Sequence, residues 1–132
     1  MSIIHGMNHF TVLTPDIDRT REFYEMLGLR EGPRPKLSFP GIWLYCGDRP
    51  LLHVVTGRPM PAEPGGLLDH MAFSAAGLAD AAALLKARDI PFTLRRVPPP
   101  AEGWQLFMHD PFGAKVELDF GPEEAAPLGW DG

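Results

Sequence analysis

The chain has little cysteine. Its single one, Cys46, leaves no partner for an internal disulfide. That fits a reducing compartment, and a cytoplasmic location is expected. Positive charge is also short: 12 Lys and Arg stand against 17 Asp and Glu, for a net charge of -5. No basic cluster occurs, since Arg95 and Arg96 make a pair rather than a patch. Nucleic-acid binding needs positive surface and is not expected. No apolar run approaches the ~20 residues of a membrane span. No basic region followed by an apolar stretch opens the chain, so no signal peptide is expected. What is plentiful is turn chemistry: 15 Pro and 14 Gly in 132 residues imply many short elements. The 45% hydrophobic and 22% charged content is that of an ordinary globular domain.

The pattern reads as strand, helix and three strands, and then the same again. A strand is expected over about 7–14, followed by a helix in "TPDIDRTREFYEMLGL". Asp16 suits the N-cap, because its carboxylate can accept from free backbone N–H groups. Ile17, Thr20, Phe23 and Leu27 recur at helical spacing, and Gly28 offers a left-handed stop. "GIWLYCG" and "PLLHVVTG" read as strands on either side of the turn-prone "GDRP". Residues 58–66 form a Pro/Gly-rich linker. Beyond it come a strand in "LDHMAFSA", a helix in "GLADAAALLKARDI" and a strand in "PFTLRRV". A hairpin follows, from "WQLFMHD" to "AKVELDF" around a type I turn at "DPFG". Module 1 is expected over about 5–57, module 2 over about 67–121, and a loose tail over 122–132.

The restart is an internal repeat. A shift of 61 places Asn8 on Asp69, His9 on His70 and Val12 on Phe73. The same shift places Ile17 on Leu78 and Phe23 on Leu84, so strand and helix periods agree between the halves. Two copies are too few for a solenoid and read instead as a pseudo-symmetric pair.

Residues two apart in a strand share a face. Phe10 and Val12 therefore oppose His9 and Thr11. Met71 and Phe73 oppose His70, Ala72 and Ser74, while Val116, Leu118 and Phe120 oppose Lys115, Glu117 and Asp119. His53 alternates with Leu52 and Val54, although the apolar Leu51 and Val55 share its face, so its strand follows the rule less cleanly. If each greasy face meets a helix, then His9, His53, His70 and Glu117 all lie on uncovered faces. If the sheets also curl, those faces line a cleft. A single strand histidine is usually a surface or hydrogen-bonded core residue. Here, however, His9 and His70 occupy equivalent repeat positions, as do His53 and Glu117 nearly. Imidazole and carboxylate donors suit Fe, Mn, Ni, Co or Zn. Trp43 and Tyr45 share a face of "GIWLYCG" and are candidates for the substrate pocket, ordinary packing being the alternative. His5, Tyr24 and His109 read as peripheral or structural.

Three stretches, "NHFTVLTPDIDRTREFYEMLGL", "DHMAFSAAGLADAAALLKARDI" and "HDPFGAKVELDF", together resemble the vicinal oxygen chelate superfamily. That superfamily groups glyoxalase I, bleomycin resistance proteins and extradiol dioxygenases. The resemblance covers most of residues 7–120. It implies an α+β fold of two paired βαβββ modules whose curled mixed sheets form a metal-binding cleft. It also implies a divalent metal ion, a small-molecule substrate that chelates through adjacent oxygens, and a homodimer. The family's ligand positions fall on His9, His70 and Glu117. Its fourth-strand ligand, often Glu or Gln, falls on His53, which is then either a ligand or an acid/base. A glyoxalase-like lyase or isomerase, with Glu117 and His53 as catalytic residues, is the leading expectation. An extradiol dioxygenase using Fe(II) is the first alternative. A non-enzymatic drug-binding resistance protein is the second, and it is disfavoured because the metal-ligating residues are retained.

Overall fold

A computed structural model describes residues 2–132. Residues 1–64 and 65–132 pack as two separate units. Each unit has one helix and one four-stranded mixed sheet, so the fold is α+β.

Unit 1 contains β1 (Phe10–Leu13), α1 (Ile17–Met26), β2 (Arg30–Gly32), β3 (Gly41–Cys46) and β4 (Arg49–Val55), in sheet order β1-β4-β3-β2. β1 pairs with β4 in parallel, and the other pairs are antiparallel. Asp16 caps α1 by accepting from the Arg19 N–H at 3.2 Å, a contact of the kind that stabilises by about 1 kcal/mol. At the other end Gly28 takes φ +113, and Leu29 N–H returns to the Tyr24 carbonyl. A Cβ would resist that left-handed turn, which is why glycine stops the helix there. Phe23 and Tyr24 are buried on the helix, as are Val12, Ile42, Leu44, Leu52 and Val54 on the strands.

Unit 2 repeats the plan with β5 (Met71–Ser74), α2 (Leu78–Ala87), β6 (Thr93–Arg96), β7 (Trp104–His109) and β8 (Lys115–Phe120), in sheet order β5-β8-β7-β6. The "DPFG" turn forms as expected. Asp110 Oδ1 accepts from the Phe112 and Ala114 N–H groups, and the Gly113 N–H donates to the Asp110 carbonyl. Met71, Trp104, Leu106, Met108, Val116, Leu118 and Phe120 are buried.

Three expectations need correction. First, the opening strands are shorter than "MNHFTVLT" and "LDHMAFSA" suggest, so His9 and His70 each sit one residue ahead of a strand. In unit 1 the pairing with β4 begins at Phe10, opposite Leu52. In unit 2 the "DPFG" turn ends β8 at Lys115. Second, Arg49 and Pro50 belong to β4, leaving Gly47 and Asp48 alone as the turn.

Third, the segment after Gly121 is not a loose tail. The Glu124 carboxylate accepts from the N–H groups of Gly77 (2.9 Å) and Leu78 (2.7 Å). It thereby supplies the cap that Gly77, with no side chain, cannot give α2. The Trp104 indole donates to the Glu124 carbonyl at 2.9 Å, and Trp130 meets the Trp104 ring edge-on at 4.8 Å.

Candidate functional site

The two sheets present matching rows of side chains. In unit 1, Thr11, His53 and Trp43 are register partners across β1, β4 and β3. In unit 2, Ala72, Glu117 and Phe107 are partners across β5, β8 and β7. His9 lies two residues before Thr11, and His70 two before Ala72. His53 and Glu117 are therefore topological counterparts, as are His9 and His70. Val12, Leu52, Val54, Ile42 and Leu44 in unit 1, and Met71, Leu106, Met108, Val116 and Leu118 in unit 2, flank this row and are buried on the opposite face, as β alternation requires.

In unit 1 the rings form a column. His9 stacks on His53 with centroids 3.7 Å apart, and His53 stacks on Trp43 at 4.1 Å. The Trp43–His53 stack follows directly from their cross-strand register. His9 Nδ1 lies 2.7 Å from Asn8 Oδ1. His53 Nε2 is buried without a hydrogen-bond partner among the described residues. Burial pushes the His53 pKa below its ordinary value, and the charges of His9 and Arg34 push it the same way. The column forms one wall of a cavity of about 200 Å³ that Thr11, Arg34 and Phe39 also line.

In unit 2 the counterpart is an ion-pair geometry. His70 Nε2 lies 3.0 Å from Glu117 Oε1, and His70 Nδ1 lies 2.8 Å from Asp69 Oδ2. Gln105 Nε2 donates to Glu117 Oε2 at 3.3 Å, and Lys115 stands 3.6 Å from Asp69. Phe107 meets His70 edge-on at 6.1 Å. Glu117 is buried, and that burial raises its pKa; a hydrogen bond with Asp119 and the Asp119 charge add to the rise. The hydrogen bond to His70, followed by the Lys115 charge, lowers the Asp69 pKa.

The expected ligands therefore come together as two pairs, His9 with His53 and His70 with Glu117. Among the described residues no group of three or more His, Cys, Asp or Glu stands ready around one point. The donor chemistry nevertheless fits a divalent ion. His53 keeps a buried, unpaired Nε2. His9 and His70 each have Nδ1 engaged by the oxygen of the preceding side chain, an orientation that suits Nε2 for an ion, although His70 Nε2 is engaged by Glu117 here. The stacked rings do not yet converge. An ion lies in the plane of each imidazole that binds it, about 2.0–2.1 Å from the nitrogen, and near-parallel rings stacked with centroids 3.7 Å apart share no such point. For both rings to bind one ion, one ring of the column would have to turn.

Trp43 lines the cavity, while Tyr45 is used elsewhere. The Tyr45 ring covers Gly32, where a Cβ would stand 2.7 Å from it, and its hydroxyl donates to the Pro33 carbonyl. Tyr45 therefore packs rather than lining this cavity. Tyr24 is fully buried, and His5 and His109 are exposed. Sequence reasoning missed the anchoring roles of Asn8 and Asp69, although the repeat aligns them and a polar residue precedes the histidine in both copies. It also missed Gln105, which shares the Glu117 face of its sheet, and the loop residues Arg34, Phe39 and Arg58.

Comparison with known proteins agrees with this architecture. Residues 6–118 match the model of the Glyoxalase/Bleomycin resistance protein/Dioxygenase superfamily, and the chain belongs to that superfamily. A Bacillus anthracis protein assigned to the glyoxalase family aligns at 23% identity and a TM-score of 0.75, over 92% of this chain and 98% of its own. The fosfomycin resistance protein FosX from Listeria monocytogenes aligns at 18% identity and a TM-score of 0.70, over 90% and 93%. Lactoylglutathione lyase from Agrobacterium tumefaciens aligns at 19% identity and a TM-score of 0.63, over 98% and 100%. At such identities the likeness is one of fold. No curated protein matches the sequence.

Proposed function

We propose that the protein is a metal-dependent enzyme acting on a small molecule that presents two adjacent oxygens, with a lyase or isomerase reaction favoured. His9, His53, His70 and Glu117 would hold the ion, each unit supplying one pair. The observation that carries this reading is the repeated anchor: Asn8 on His9 Nδ1 and Asp69 on His70 Nδ1, at equivalent places in the two units. Ligating histidines are ordinarily held in this way by an oxygen on the other ring nitrogen. A bound divalent ion would supply Lewis-acid polarisation of the two substrate oxygens.

The chain's own residues would do the rest. Glu117 has its proton affinity raised by burial and by Asp119, which suits a group that takes a proton from substrate carbon and returns it. Gln105 orients that carboxylate through Oε2. Trp43 gives the cavity a flat apolar wall. A homodimer in a reducing cytoplasm completes the proposal.

The stacking of His9 on His53 favours one other reading. If His53 stays in the column it serves as acid/base beside a His9, His70 and Glu117 set, the arrangement of a ring-cleaving dioxygenase. A metal titration followed by turnover assays tests both. Chelator-treated protein should regain thermal stability with Fe(II), Mn(II), Ni(II) or Zn(II), and His70→Ala should abolish the gain. No shift with any of these ions overturns the proposal. Oxygen uptake with a catechol that requires Fe(II) selects the dioxygenase.

A further inference from the structure

The unit 1 cavity carries positive charge that no carboxylate neutralises among the described residues. Arg34 comes from the loop between β2 and β3, and Arg58 from just past β4. Their guanidinium carbons lie 5.2 and 5.1 Å from the centroid of the same Phe39 ring. Arg34 Nη2 donates to the Phe39 carbonyl at 2.9 Å, which pins the loop and leaves most of the guanidinium donors unused. Arg58 is exposed and donates no hydrogen bond among the described residues. No carboxylate lines the cavity, and none pairs with either arginine among the described residues. Yet acidic residues outnumber basic ones, 17 to 12, and Arg21 has found both Asp18 and Glu31. Two like charges gathered on one ring repel each other, and a ring face offsets only part of that cost.

The rest of the cavity is different in kind. Phe39 lies beside the arginines, Leu37 also lines the cavity, and Trp43, stacked on His53, provides a flat wall. The volume of about 200 Å³ falls below the ~300–1,000 Å³ usual for drug-sized ligands.

We propose that Arg34 and Arg58 form an oxyanion subsite, and that the natural ligand is a small organic acid. Its carboxylate or phosphonate would lie on the two guanidinium groups and its apolar body against Phe39 and Trp43. Guanidinium forks match the planar, paired oxygens of such groups. This deepens the proposed function and rests on its placing of substrate in this cavity. Arg34 and Arg58 are binding residues that select the substrate by charge.

The test is a calorimetric titration of chelator-treated protein at low ionic strength with benzoate, phenylphosphonate and the neutral isostere benzamide. At least one of the two acids should bind about tenfold or more tighter than benzamide, the range of a hydrogen bond to a charged group. The tighter acid identifies the anionic group. Arg58→Gln, which breaks no hydrogen bond, should reduce that preference to about twofold or less. Arg34→Gln should do the same. Equal binding of all three probes, or an undiminished preference in Arg58→Gln, overturns the subsite. Because no metal is present, the result stands apart from the metal reading. Normal metal loading with no anion preference would reject the subsite alone.

Discussion

In unit 1 the histidine ahead of the first strand lies flat against its partner across the sheet, His53. In unit 2 its counterpart, His70, aims a ring nitrogen at Glu117. The backbone positions correspond, so the difference comes from side-chain chemistry. Two flat aromatic rings gain from stacking, especially with Trp43 continuing the column. An imidazole and a carboxylate gain instead from an edge-on, charge-assisted hydrogen bond. The helix caps diverge in a similar way. Asp16 caps α1 from within its own turn, whereas Gly77 leaves α2 to be capped by Glu124, 47 residues away. One repeated backbone plan thus tolerates a local and a distant solution to the same unsatisfied N–H groups.

The largest expected effect falls on the distant cap. Trp104→Ala should cost unit 2 about 3–5 kcal/mol, by leaving a core void and releasing the Glu124 and Trp130 contacts. Chemical denaturation of the variant measures the cost, and a loss below about 1 kcal/mol would mean that the core closes over the void. Glu124→Ala should cost about 1–2 kcal/mol, against about 1 kcal/mol for Asp16→Ala. A reversed order would mean that the terminal segment contributes little.

The two sites should also depart from their variants on opposite sides of the pH scale. The folded-state pKa of His53 lies below the ordinary 6.5. Its contribution to stability is therefore present above pH 6.5 and lost as pH falls toward the depressed value. Thermal unfolding of His53→Gln should show a shallower decline on the acid side than the unsubstituted protein. Glu117 has a raised folded-state pKa, so its contribution is present below the ordinary 4.5 and lost as pH rises through the raised value. Metal-free Glu117→Gln should accordingly be the more stable protein at neutral pH. If it is less stable, the hydrogen bonds from His70 and Gln105 outweigh the burial and the Asp119 repulsion.

Much of this was legible in the residues because alternation is a local rule. Val12, Leu52, Val54, Met71, Val116 and Leu118 fall on the face opposite the polar candidates, and the "MNHFTV" and "LDHMAF" copies announced the pseudo-symmetry. Asp16, Gly28 and "DPFG" act within a few residues of themselves, so their roles could also be read directly. What could not be read depends on distance or on side-chain partners. Glu124 meets α2 only through the tertiary fold, and Tyr45 turns to Gly32 and Pro33 because β2 lies beside it. Periodicity placed His9 and His53 on one face but could not say that they would stack. Arg34 and Arg58 lie in segments where no period operates.

The central claim is that the two dissimilar pairs serve one divalent ion. Metal content by mass spectrometry tests it most directly, on protein purified without a nickel column, comparing unsubstituted protein with His9→Ala and His70→Ala. About one transition-metal ion per chain, lost in either variant, is the expected result. Metal retained after His9→Ala, or none bound by the unsubstituted protein even after adding Fe, Mn, Ni or Zn, would contradict it.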